Sequence, residues 1–384
     1  MRTALVTTTI HVPELLSDYA RSAMEHGREI DIIVVGDKKS PPETVDYLKS
    51  LAREGSGAYR VFYLGAPEQE RYLQDFPQLA EHLPWNCIQR RQVAILLAYE
   101  LGNEVMITID DDNFLVDEDF FKYGTRLGTR TEADVVDSAS HWFNICSYLE
   151  DETGRAFFPR GYPVTLRDGE QGAVSIQRRV VRPVVNAGLW LGDPDIDAVT
   201  RLACPPNVVG YLRSDNFALG NGTWAPFNSQ NTALLREVLP AYFMGPFVGR
   251  YDDIWGSYVI LRIADHLGDS VTFGHPLVRQ VRNEHDLFVD LGLEKMGMQL
   301  TEKFTAWLRE CTLVGTDYRA CIHELMGAGG PIERQVSSDS SLTDEQRRSL
   351  TQFIDGYRVW ESAMEVCSGR TDAGAERFEL NSQG

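Results

Sequence analysis

The sequence has no apolar run long enough to cross a bilayer: its longest uncharged stretch, Asn216 to Leu235, is crowded with Asn, Gly, Ser and Gln. Cysteine is sparse, six in 384 residues with no C-x-x-C pair. That scatter argues against a disulfide framework and the common zinc spacings, and fits reduced thiols in a large core. Positive charge is short as well. Lys and Arg number 37 against 56 Asp and Glu, a balance of −19 that argues against broad, sequence-independent binding to nucleic acid or an anionic membrane surface. There is no G-x-x-x-x-G-K-[ST] loop for P-loop phosphoryl transfer, no internal repeat, and no basic and apolar leader before the first strand-like run. A cytoplasmic protein is expected, with homo-oligomerisation left open.

What is present is an ordinary globular composition, 43% hydrophobic and 24% charged, with mean hydropathy −0.26. The apolar runs Ala4 to Val6, Ile30 to Val35, Tyr59 to Leu64 and Val105 to Ile109 alternate with helix-like segments at Pro13 to His26, Pro42 to Arg53 and Asn86 to Leu101. Such alternation predicts an α/β fold with a Rossmann-like, mostly parallel sheet flanked by helices. Ligands bind such sheets at the carboxyl ends of the strands, which puts Thr7, Thr8, Thr9, Gly36, Asp37 and Asp110 to Asp112 on one rim. The pattern loosens from Phe114 to Arg182. Apolar character returns at Val185 to Leu191, and helices are expected near Asn231 and after Asp252. The second half from Leu293 reads as helical, broken by a loop or linker at Gly327 to Asp344, and the polar residues after Ser368 read as frayed. The expected division is 1–292 for binding and catalysis, 293–367 for a helical C-terminal region and 368–384 for a flexible tail.

The sharpest local feature is Val-Met-Ile-Thr-Ile-Asp-Asp-Asp-Asn at Val105 to Asn113, a β-branched run ending in three carboxylates. Adjacent like charges repel, and a divalent cation explains them. In extended chain Asp110 and Asp112 project to one side and are suited to Mn2+ or Mg2+ that also holds phosphate oxygens. A solvated acidic loop capping a helix is the plainer alternative.

The strand order together with the Asp-x-Asp resembles a GT-A glycosyltransferase. Three further blocks, Phe158 to Gly169, Gly188 to Ala198 and Gly249 to Ser257, resemble in order and spacing the reversibly glycosylated polypeptides, also known as UDP-arabinopyranose mutases, over roughly residues 1 to 310. Arg282-Asn283-Glu284-His285-Asp286 gives a looser likeness to the STELLO glycosyltransferases. The resemblance implies a GT-A fold with a helical C-terminal extension and a nucleotide diphosphate sugar as ligand. A UDP-sugar is the default, with ADP- and GDP-sugars as alternatives. It implies nucleoside contacts from Thr7, Thr8, Thr9 and Asp37, and metal-diphosphate contacts from Asp110, Asp111 and Asp112.

Arg160 and Arg167 match the two arginines of the family's R-G-Y-P-x-x-L-R-x-G block, one of which is glycosylated in the plant proteins. As planar guanidiniums they suit a clamp on a departing diphosphate, or else surface pairing with carboxylates. Arg90 and Arg91 open the helix before the metal strand, where only one is expected to face the nucleotide sugar. Asp252 and Asp253 follow Tyr251 at a helix start, either capping it or facing the acceptor as a general base. Asp193, Asp195 and Asp197 alternate, as loop residues or with one facing the sugar. Trp190 and Trp255 are suited to stacking on a sugar face or to the core. Where the plant family carries a histidine after the Gly-Arg-Tyr-Asp-Asp helix this chain has Gln280, so the third metal ligand is His285 or none. Leu115 to Tyr148 has no clear counterpart in the family.

The expected activity is metal-dependent transfer of a sugar from a nucleotide diphosphate sugar to an unidentified acceptor, expected to be a small molecule in a bacterial-type pathway. The alternatives are a pyranose/furanose mutase and a non-catalytic sugar-nucleotide-binding subunit. Between Arg155 and Arg182 six arginines face only Asp168 and Glu170, a local basic exception for an anionic ligand.

Overall fold

A computed structural model describes residues 1–55, 57–116, 119–168, 172–283, 286–370 and 376–380. Its strands are β1 (Thr3–Thr8), β2 (Ile30–Val35), β3 (Tyr59–Leu64), β4 (Val105–Ile109), β5 (Asn113–Leu115), β6 (Thr131–Ser138), β7 (Leu149–Asp151), β8 (Val174–Val181), β9 (Pro183–Gly192), β10 (Val208–Tyr211), β11 (Phe217–Leu219), β12 (Asn231–Leu235) and β13 (Ser270–Gln280). The helices are α1 (Leu16–Glu25), α2 (Glu43–Gly55), α3 (Ala66–Leu73), α4 (Pro77–His82), α5 (Arg91–Glu100), α6 (Ala198–Ala203), α7 (Asp252–Leu267), α8 (Leu287–Glu310), α9 (Tyr318–Met326), α10 (Pro331–Ser338) and α11 (Asp344–Ser368).

One sheet runs in the order β3-β2-β1-β4-β12-β9-β13-β11-β6-β8. Its first four strands are parallel, as the alternating pattern predicts, because each crossover carries a helix that covers a sheet face. β2 is buried at every position, hence its nearly unbroken apolar run. The exception, Asp31, is satisfied by Arg60 (2.8 and 2.9 Å), Arg2 (3.0 Å) and Asn103 (2.8 Å). The α/β, Rossmann-like architecture with C-terminal helices is therefore observed.

Three local expectations are corrected. The segment starting at Asn231 is not a helix: Asn231–Leu235 lies antiparallel between β4 and β9, so sheet pairing overrides the helical look of its Ala-Leu-Leu. The stretch from Gly327 to Asp344 is not only a linker, since it contains α10, which buries Ile332 and Val336. Part of the tail is anchored: the Phe378 ring meets Tyr72 edge-on at 5.6 Å and Leu380 N–H donates to the Val61 carbonyl at 2.8 Å.

The C-terminal helices share the core of the sheet and fix the helix that carries two of the candidate carboxylates. On α7, Trp255 stacks on Phe304 of α8 at 4.4 Å and meets Phe353 of α11 edge-on at 5.4 Å. Gly297 lets α8 approach the Tyr251 ring just before α7, where any Cβ would overlap it. Burying such aromatic faces is worth about 1.5–3 kcal/mol per side chain. The start of α7 is thus held rigidly against the sheet rim.

Candidate functional site

The carboxyl ends of β1, β4 and β13 and the start of β12 meet the N-terminus of α7 around a cavity of about 590 Å³. A smaller cavity of about 220 Å³ adjoins it beside Thr9 and Asp37, sharing Thr8, Asn86 and Asp111 as common walls. Together they have the size of a small-molecule site. Asn86 stands at the junction with a left-handed backbone (φ 59°), and its N–H donates to Asp37 Oδ2 at 2.8 Å.

The Asp triad leaves β4 at the floor of the larger cavity. Arg91, fully buried, holds Asp110 at 2.6 Å and donates to the Ser229 carbonyl at 2.7 Å. Asp111 accepts from Thr9 Oγ1 at 2.7 Å. Burial, helped by the charges of Asp110 and Asp111, pushes Asp112 up to about 6. Gln280 ends β13 beside it: its Nε2 is 3.4 Å from Asp112 Oδ1, while its buried Oε1 has no partner. An unpartnered amide oxygen beside a carboxylate is of the chemical type that can ligate a hard divalent cation. Among the described residues no three His, Cys, Asp or Glu side chains are grouped to hold a metal, and His285 lies outside the described residues.

The far wall carries the acidic start of α7. Asp252 is buried and accepts from Gln89 Nε2 at 2.7 Å. Burial and the adjacent Asp253 charge push it up to about 7. Asp253 accepts from Ser229 N–H at 2.9 Å and Ser229 Oγ at 3.2 Å, and pairs with Arg160 at 3.2 Å.

Arg160 lines the cavity but its fork is committed. It grips Asp195 through two bonds of 3.0 and 2.9 Å, in addition to Asp253 and the Arg250 carbonyl. Burial alone would raise Asp195, yet the Arg160 charge and hydrogen bonds hold it well below the usual carboxylate range. Arg167 lies outside both cavities, paired with Asp197 at 2.6 Å. The three alternating aspartates serve the loop: Asp193 pairs with Arg201, Asp195 with Arg160, and Asp197 caps α6 by accepting from Thr200 N–H at 2.9 Å.

Of the remaining candidates, Thr8, Asp37 and Arg90 reach a cavity wall, and Arg90 stacks over Trp85 at 3.8 Å. Thr7 and Trp190 are buried in their strands away from both cavities, and Trp255 is core. Sequence reasoning gave no role to Gln89, and none to Arg282 beyond the loose STELLO likeness; both line the larger cavity. Gln89 sits one residue before the arginine pair, and Arg282 two after Gln280, but neither position declares its partner.

Comparison with known proteins yields a match to the reversibly glycosylated polypeptide family over residues 103–362. The chain is 31% identical over 260 residues to UDP-arabinopyranose mutase 1 of Arabidopsis thaliana, covering 66% of this chain and 68% of that protein. It is 30% identical over 264 residues to the probable UDP-arabinopyranose mutase 2 of Solanum tuberosum, covering 67% of this chain and 66% of that protein. The chain thus spans about two thirds of the length of these relatives. No helix among the described residues is long and apolar enough to cross a membrane.

Proposed function

The chain belongs to the reversibly glycosylated polypeptide family, and on that premise we propose that it binds a UDP-sugar and interconverts the pyranose and furanose rings of the sugar. In this reaction the bond from the anomeric carbon to the diphosphate breaks, its electron pair leaving on the diphosphate oxygen. A different sugar hydroxyl then bonds to the anomeric carbon, the bond from that carbon to the former ring oxygen breaks, and the same diphosphate re-forms its bond to the anomeric carbon. The hydroxyl that enters the ring loses a proton and the former ring oxygen gains one. No acceptor, oxidant or reductant is consumed.

The observation that carries the proposal is Asp252: a buried carboxyl on the cavity wall, pushed up to about 7, with Gln89 donating to it at 2.7 Å. A carboxyl raised in this way holds a proton more readily than an exposed one, so it is suited to take the proton from one sugar oxygen and return it to the other. Asp253 is tied to Arg160 and Ser229 and holds the start of α7 in place. The smaller cavity, with Asp37 and Arg90 on its wall, accommodates the nucleoside. Asp110, Asp112 and the free Gln280 Oε1 suit Mn2+ or Mg2+, and such an ion would neutralise charge on the departing diphosphate.

The test is to incubate the purified protein with UDP-arabinopyranose and Mn2+, without any acceptor, and follow the furanose form by NMR. Conversion is expected, falling at least about a hundredfold in Asp252→Asn. No conversion, with turnover appearing only when an acceptor is supplied, would replace the mutase by a glycosyltransferase. Metal-dependent binding of UDP without turnover on any sugar would make the protein a binding subunit.

A further inference from the structure

We propose that Arg282, which follows Gln280 at the end of β13, is the cation that grips the diphosphate, and that Arg160 is a structural anchor instead. The inference builds on the nucleotide-sugar reading and assigns the anion-binding group within it.

The cations around the cavity differ in how fully they are already paired. Arg91 is held by Asp110 and the Ser229 carbonyl. Arg160 uses its fork on Asp195 and reaches Asp253 and a backbone carbonyl as well. Arg250 turns to α8, pairing with Glu294 at 3.1 Å and Asp290 at 3.2 Å. Arg282 alone among these has its nearest described carboxylate oxygens beyond hydrogen-bond reach, at 3.7 Å on Asp193 and 3.9 Å on Asp195. Both carboxylates have closer partners: Arg201 for Asp193, and Arg160 with Asn228 for Asp195. Arg282 Nε is buried with no hydrogen-bond partner, although only 11% of the side chain is exposed.

A buried guanidinium without a close acceptor is poorly solvated and incompletely compensated, which a ligand anion would remedy. Its position suits that role. Val281 N–H, one residue earlier, donates to the Asp112 carbonyl at 3.1 Å, so the backbone ties Arg282 to the Asp triad across the same opening. A diphosphate entering between the triad and β13 would then meet Arg282 on one flank and the triad's cation on the other. A planar fork binds such oxygens bidentately.

The test is calorimetric titration of wild type, Arg282→Gln and Arg282→Lys with pyrophosphate, UDP and uridine at fixed salt. Loss of Arg282 is expected to weaken pyrophosphate and UDP about 10- to 100-fold and uridine by less than about twofold, with lysine recovering part of the loss. Because its ion pairs are long, Arg282→Gln is expected to melt within about 1 °C of wild type. UDP and pyrophosphate bound equally well by Arg282→Gln would overturn the proposal, as would an equal loss for uridine, which marks a general distortion. Arg282-dependent pyrophosphate binding in a protein that ignores UDP would uphold the anion site and sink the UDP-sugar reading. UDP binding indifferent to Arg282 would do the reverse.

Discussion

Replacing Arg160 by methionine separates an anchor from a ligand clamp. The side chain is 8% exposed and closes on Asp195 and Asp253, so its removal strands two buried carboxylates. Asp195 retains Asn228 at 2.7 Å and Asp253 retains the Ser229 N–H at 2.9 Å, so neither is left bare. Removing one partner from a buried pair costs about 3–5 kcal/mol, and these residual bonds place the expected value near the lower end. With about 2.1 cal/mol/K of unfolding entropy per residue over 384 residues, the melting temperature should fall by roughly 4 °C. The pH dependence has a definite sign. Asp195 is held below its unfolded value, so its pairing stabilises the fold above about pH 4 and is lost as pH falls through the folded value. The deficit of the variant should therefore stay full from pH 7 down to about pH 4 and narrow only below that, in melting curves followed by circular dichroism. A variant that melts with wild type at pH 7 but binds pyrophosphate tenfold more weakly would refute the reasoning and make Arg160 the clamp.

Two further outcomes concern Asp252 and the glycine that follows Arg160. Asp252 is raised by burial, so the wild type should lose stability as pH climbs from about 4 through 7, where the unfolded chain ionises more readily. Asp252→Asn removes that slope, and its melting temperature should gain on wild type between pH 5 and pH 8; parallel curves would contradict the burial argument. Gly161 adopts a left-handed backbone (φ 91°), and a Cβ there would run into Ile254 and Tyr258. Gly161→Ala should cost about 2–4 kcal/mol in urea denaturation, and its cost should fail to add to that of Arg160→Met because the residues are adjacent.

The first four strands and the rim they share were legible because a parallel sheet imprints its order directly, as buried β-branched runs at intervals that leave room for a crossover helix. The Asp triad was legible for the same reason: it ends a strand. Asn231–Leu235 was not, since its strand character comes from pairing with β4 and β9, whose partner residues lie more than forty positions earlier in the chain. Phe378 was hidden in a polar tail, where one aromatic residue finds the Tyr72 ring. The site residues divide along the same line. That Asp252 and Asp253 begin a helix follows from local sequence, but that Gln89 faces Asp252 depends on a contact between residues 163 apart in sequence.

The arginines sharpen this point. The block from Arg155 to Arg182 looked like the basic exception in an acidic chain, yet Arg160, Arg167, Arg178, Arg179 and Arg182 each pair with an aspartate or glutamate, and only Arg160 of these lines the main cavity. A local charge count treats every arginine as available, whereas in a folded site availability is what remains after the short pairs are made. Displacing Arg160 from Asp195 would uncover a buried charge, which an incoming phosphate, itself negative, could not compensate. Arg282 gives up only contacts of 3.7 and 3.9 Å, and the carboxylates it would leave already have nearer partners. Binding through Arg282 therefore brings an anion to a cation with little to lose, while binding through Arg160 would first have to break the pair that holds the start of α7 to the loop at Asp195.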